Sequence, residues 1–158
     1  MPDLDYHGYR VINVVGPNSE DLRTEIVDFW LRNRALTDVR EAQRRSHEVV
    51  FAIRNPRGEL CGVNTLYVAD FLRRGNAYYF HRMFIQPPDR INGMMRFVTA
   101  ATLAFLRERD LPDKHKGVVA VAENVKFRRK GARRALERLG FQLVGKDARG
   151  CDIWKTDF

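Results

Sequence analysis

The stretch Phe84-Ile85-Gln86-Pro87-Pro88-Asp89-Arg90-Ile91-Asn92-Gly93-Met94-Met95 (FIQPPDRINGMM) joins an apolar run to a segment of helical period. The paired prolines end a strand, because proline cannot donate to a ladder. Arg90 and Gly93 then stand just before the helical pattern. The first amides of a helix have no internal acceptors and point toward its start, where an anion can sit. Gly93 removes a Cβ where a ligand would approach, and Arg90 adds a charge-assisted contact. A tight structural corner would use the same residue types.

Upstream, residues 77–85 (AYYFHRMFI) read as an aromatic-rich strand. Downstream, residues 92–109 read as the clearest helix, with Met94, Val98, Ala101 and Phe105 on one stripe. Further out, 9–15 alternates as a first strand and Gly16-Pro17 stops it. Ser19 can cap a helix whose Leu22, Ile26, Phe29 and Trp30 share a face. A shorter helix is expected over 37–45. Residues 49–54 and 60–67 flank the turn signal Asn55-Pro56-Arg57-Gly58 as a hairpin. The run 117–122 (GVVAVA) reads as a central strand, 127–139 as a helix with Phe127, Gly131, Ala135 and Leu139 on one line, and 141–144 and 151–156 as a last strand pair. The resulting fold class is α/β, a mixed sheet with helices on both faces, in a single domain over 1–158. The early hairpin separates it from a repeated strand–helix dinucleotide fold.

Composition is that of an ordinary globular chain: 158 residues, 44% hydrophobic and 30% charged. No apolar run approaches the roughly 18 residues of a membrane span, and the start is not signal-like. Cys61 and Cys151 lie far apart and form no Cys-x-x-Cys pair, so the expectation is cytoplasmic, reduced and metal-free. The formal charge of +8 suits an anionic partner without selecting one.

Element order and motif together make the chain resemble the GNAT superfamily of acyl-CoA-dependent N-acyltransferases, over nearly its whole length. The family signature, an apolar strand end followed by Gln/Arg-x-x-Gly-x-Gly/Ala, is matched by Ile85, Pro87, Arg90 and Gly93, with Met95 in place of the final small residue. The resemblance implies acetyl-CoA or another acyl-CoA as cofactor. It places the cofactor on Phe84, Ile85, Arg90, Ile91, Asn92, Gly93, Met94 and Met95, with backbone amides holding the pyrophosphate. A second signature, an Asn after the next strand and a Gly-Phe beyond the next helix, is matched by Asn124 and Gly140-Phe141. The helix tyrosine that protonates the leaving thiolate in the family aligns with Leu136. A fainter likeness, to phage-encoded GNAT-like DNA-modification proteins of the Mom kind, rests on Arg82-Met83-Phe84 and Asn92; Met95 stands where that group has a serine.

An amine acceptor has to lose a proton before it attacks. His81 has the right reference pKa for that work and lies near the position of a catalytic Glu in family members; a histidine bonded within the sheet is the other reading. Tyr79, on the same strand face, stands where some relatives carry that Glu, and would donate a proton, orient His81 or line the pocket. Glu123 is the alternate base. Lys126, Arg128, Arg129, Lys130, Arg133, Arg134 and Arg138 form a basic run broken only by Glu137. It would reach a cofactor phosphate, track a nucleic-acid backbone or simply face solvent. Tyr6, Tyr9, Tyr67, Tyr78 and Tyr79 are stacking surfaces in principle. The expected activity is direct acyl transfer to an amine of a protein, nucleobase or small molecule, by a monomer or homodimer. The alternative is a non-catalytic nucleic-acid-binding or regulatory protein on the same fold.

Overall fold

The sheet begins earlier than alternation indicates. In the computed structural model, which describes residues 1–109, 115–123 and 130–158, strand β1 (Leu4–Tyr6) precedes β2 (Tyr9–Asn13) and pairs with it antiparallel. Their turn is His7-Gly8, at φ 52° and 83°. Positive φ at both positions makes a tight hairpin whose twist matches its strands. His-Gly is a weaker turn signal than Asn-Gly, and a strand this short shows little alternation, so only β2 was legible.

The described residues form two compact units, 1–66 with 83–102, and 67–82 with 103–158. In the first, β1, β2, β3 (Val49–Arg54) and the start of β4 (Leu60–Asp70) pair antiparallel in that order. Helix α1 (Glu20–Arg32) starts at Ser19, whose Oγ accepts from the Leu22 amide at 3.2 Å. It buries Ile26, Val27, Phe29 and Trp30 against Val49, Ala52, Leu60 and Val63. The β-branched pair costs a helix about 0.5 kcal/mol each, whereas each buried large apolar side chain contributes about 1.5–3 kcal/mol. Packing therefore outweighs propensity. Helix α2 (Val39–Ser46) starts at Asp38, which caps the Glu41 amide. The register of β3 on β4 shifts between Val49 and Phe51, where the Asn64 side chain takes the Phe51 amide at 2.9 Å. Asn64 Nδ2 donates in turn to Thr102 Oγ1 at 2.9 Å.

The second unit orders its strands β5 (Ala77–Ile85), β6 (Gly117–Ala122), β8 (Asp152–Asp157), β7 (Gln142–Lys146). β5 and β6 run parallel and the other two pairs antiparallel. The fold is thus mixed α/β, with a mixed sheet flanked by helices. Helix α4 (Lys130–Arg138) buries Leu136 rather than the expected line through Gly131, which is exposed. Helix α3 (Met94–Glu108) starts two residues later than its periodicity indicates, because Gly93 at φ 81° cannot belong to a right-handed helix. No helix among the described residues is long and apolar enough to cross a membrane. Asn124, Lys126, Phe127, Arg128 and Arg129 lie outside the described residues.

Candidate functional site

The loop from β5 to α3 lies within the first unit. The Gln86 amide extends the ladder by donating to the Cys61 carbonyl at 2.9 Å. Pro87–Asp89 then make one 3-10 turn. The amides of Asp89, Arg90, Ile91 and Met94 all find carbonyls within the loop, and Phe97 closes the first helical bond onto Gly93. The amides of Asn92, Gly93, Met95 and Arg96 find no backbone acceptor among the described residues. Helices α1 and α2 meet this need with side-chain caps and early acids. Helix α3 has no acid in its first turn and carries Arg96 there. The helix dipole then adds to cationic side chains instead of being offset.

Arg90 Nε donates to the Ile85 carbonyl at 2.7 Å. The guanidinium is therefore partly spent on shaping the loop, and its terminal nitrogens remain without a protein partner among the described residues. Its carbon lies 5.7 Å from the Phe84 ring centroid. Gly93 does not open space for a ligand on its Cβ side: a Cβ there would lie 2.3 Å from Tyr6 Oη. Phe84, Ile85 and Met94 turn their side chains into the unit, Phe84 against Phe29 at 5.7 Å, and Ile91 and Met95 are half-buried. These residues offer a ligand backbone rather than side chains. Beneath the loop, Asp89 is 6% exposed and accepts from Tyr9 Oη at 2.9 Å and Gln86 Nε2 at 2.5 Å. Sequence reasoning missed Asp89 as part of this site, because nothing local marks a carboxylate as buried. Cys61, on β4, is a buried thiol that burial pushes up to about 12.

His81 and Tyr79 lie on β5 in the second unit, on one strand face. The parallel pairing with β6 runs from Tyr79–Val118 to His81–Ala120. Beyond Ala120, β6 pairs with β8 through Val121–Ile153 and Ala122–Asp152. Among the described residues His81 thus stands where the parallel ladder stops, and the Val121 carbonyl takes the Glu123 amide at 3.1 Å. The His81 side chain is buried, and its Nε2 has no hydrogen-bond partner among the described residues. Burial lowers its pKa from 6.5 to about 4. It is a neutral imidazole near pH 7. Tyr79 is buried too, its ring edge-on to His115 at 4.9 Å and 6.4 Å from Phe158. That surrounding makes it a wall of aromatic packing.

Glu123 is exposed and accepts from Arg149 Nη2 at 3.0 Å, an ordinary surface pair. Lys130, Arg133 and Arg134 are exposed on α4 and, with Glu137, line a shallow depression of about 410 Å³. The tyrosines are engaged elsewhere: Tyr6 against Phe97, Tyr9 on Asp89, Tyr67 under the Arg82 guanidinium at 4.2 Å, and Tyr78 on Asp157 at 2.8 Å. None stands free as a stacking platform. No group of three His, Cys, Asp or Glu among the described residues could hold a metal ion.

The architecture has many solved counterparts. The chain matches the GNAT domain of S. lividans PAT with TM-score 0.68 and 14% identity, over 99% of this chain and 96% of that one. It matches an acetyltransferase of the GNAT family from Streptococcus pneumoniae with TM-score 0.66 and 11% identity, over 95% and 99%. It matches the ribosomal-protein-S5-alanine acetyltransferase from Vibrio fischeri with TM-score 0.64 and 13% identity, over 100% and 96%. At such identities the likeness is one of fold, and the fold is that of the GNAT acetyltransferases. No protein-family model matches the sequence, and no curated protein matches it.

Proposed function

We propose that this protein is an acyl-CoA-dependent N-acyltransferase that acts by direct transfer, with acetyl-CoA as the first donor to test. The observation that carries this reading is the β5–α3 loop, where unpaired amides and two arginines meet at an acid-free helix start. That donor set fits a pyrophosphate. The amides of Asn92, Gly93, Met95 and Arg96 and the terminal nitrogens of Arg90 would hold it. When bound, acyl-CoA supplies an acyl group already activated as a thioester.

His81 handles the proton. Being neutral near pH 7, it keeps a lone pair available. It would take the first proton from the ammonium, directly or through a water it orients, so that a neutral amine attacks. A base with a pKa of about 4 does not retain that proton and releases it to solvent. The attacking nitrogen loses a second proton as the N–C bond forms and the C–S bond breaks, and His81, again neutral, would relay that proton to the departing thiolate. This relay matters because Leu136, at the family's tyrosine position, is a buried hydrocarbon. The acceptor is an amine of a protein, a nucleobase or a small molecule, and the basic surface of α4 favours one carried on an anionic partner.

Calorimetric titration of ligand-free protein with acetyl-CoA and coenzyme A tests this. Saturable binding is expected, weakened ~10- to 100-fold in Arg90→Ala, the range for a lost hydrogen bond to a charged group. Absence of binding by folded wild-type protein overturns the reading. Strong, salt-sensitive DNA or RNA binding in its place would identify a binding protein built on the same fold.

A further inference from the structure

One hairpin holds both ends of the loop that carries Arg90 and Gly93. Tyr6 and Tyr9 are register partners across β1 and β2. Tyr9 Oη donates to Asp89 Oδ1 at 2.9 Å, and Tyr6 Oη donates to the Asn92 carbonyl at 2.9 Å. Neither hydroxyl bonds within the hairpin itself. The Tyr6 ring also packs on Phe97, in the first turn of α3, with centroids 4.7 Å apart. Burial first, then the bond to Asp89, raises the Tyr9 pKa, so its hydroxyl remains a donor across the neutral range.

We propose that Tyr6 and Tyr9 are positioning residues that set the amides at the α3 start for an anion. The inference rests on the acyl-CoA reading above, in which that anion is the cofactor pyrophosphate. The peptide joining Asn92 to Gly93 is planar and trans, so its carbonyl and N–H point in opposite directions. Fixing the Asn92 oxygen on Tyr6 aims the Gly93 N–H away from the hairpin. Glycine tolerates either orientation of this peptide at little cost. Without the Tyr6 hydroxyl the competent orientation becomes one of two, and apparent affinity falls with its population. Tyr9 does the same for the preceding corner. It holds Asp89, whose carbonyl takes the Ile91 amide at 2.9 Å.

Tyr6→Phe and Tyr9→Phe keep the rings and remove only the hydroxyls. Wild type and both variants are titrated with coenzyme A and with pantetheine, which lacks the phosphates, while the Gly93 amide resonance is followed. Each variant is expected to bind coenzyme A ~5- to 10-fold more weakly, the effect of one neutral hydrogen bond, with pantetheine affinity unchanged. Wild-type affinity in both variants overturns the proposal. So does equal weakening toward coenzyme A and pantetheine, which marks general structural damage. Failure of the wild type to bind coenzyme A overturns the acyl-CoA reading instead. Inorganic pyrophosphate then decides the clamp: a Gly93 shift that weakens in the variants upholds it for another anion, and no shift in wild type overturns it.

Discussion

Gly93 and Tyr6 compete for one position: a Cβ on the glycine would lie 2.3 Å from the tyrosine hydroxyl, far inside van der Waals contact. The glycine also sits at φ 81°, where L side chains are strained. Gly93→Ala should therefore cost about 1–3 kcal/mol of stability and displace Tyr6 from the Asn92 carbonyl. Combining it with Tyr6→Phe should relieve the clash and leave the backbone strain. Denaturant unfolding of the single and double variants measures both parts; strictly additive losses would show that the two residues do not compete.

Asn64 makes two buried bonds, accepting from the Phe51 amide and donating to Thr102 Oγ1. Asn64→Leu removes the acceptor that Asn64 Oδ1 gives this amide, which costs about 1–3 kcal/mol. The expected signature is a lower denaturant midpoint with accelerated hydrogen exchange at Phe51. Unchanged exchange there would mean the register shift does not depend on the Asn64 side chain.

The two cysteines should differ in reactivity. Cys61 is buried, its Sγ lies 3.4 Å from the Ile53 carbonyl, and its pKa is pushed up to about 12. Only a minute fraction is thiolate at pH 8, and the thiolate is the nucleophile. Cys151 is half-exposed. Brief alkylation at pH 8, read by mass spectrometry, should label Cys151 and spare Cys61 until the protein is unfolded.

His81 links stability to acid. The unfolded chain takes up a proton near pH 6.5, whereas the folded site refuses it until about 4. Stability is complete above 6.5, falls as pH drops through this window, and levels off below it. At 1.36 kcal/mol per unit, the loss by pH 4.5 is about 2–3 kcal/mol. His81→Leu should flatten that acid branch in urea unfolding between pH 4.5 and 7. A variant that keeps the full wild-type slope would assign the acid sensitivity to other groups. The same substitution should abolish turnover while leaving coenzyme A affinity close to wild type.

Much of the fold was legible because its signals are local. The boundaries of β5 and β6 follow directly from their apolar runs, and Ser19 caps α1 as its position indicates. The motif Arg90-x-x-Gly93 located the loop, since prolines, glycine and helical period act within a few residues of one another. The hydroxyl contacts that hold that loop come from residues 80 and 86 positions away, Tyr9 to Asp89 and Tyr6 to Asn92. The burial that takes His81 down to about 4 likewise arises in a sheet whose next strand, β6, is distant in sequence. The sequence by itself determined most of the strands and helices, though not β1, and where the turn before α3 stands. Only the tertiary structure decided that Gly93 makes room for Tyr6, that Asp89 is enclosed and that His81 is neutral. Torsional preference and periodicity belong to neighbouring residues, whereas desolvation and a hydroxyl's choice of acceptor arise only when distant segments pack.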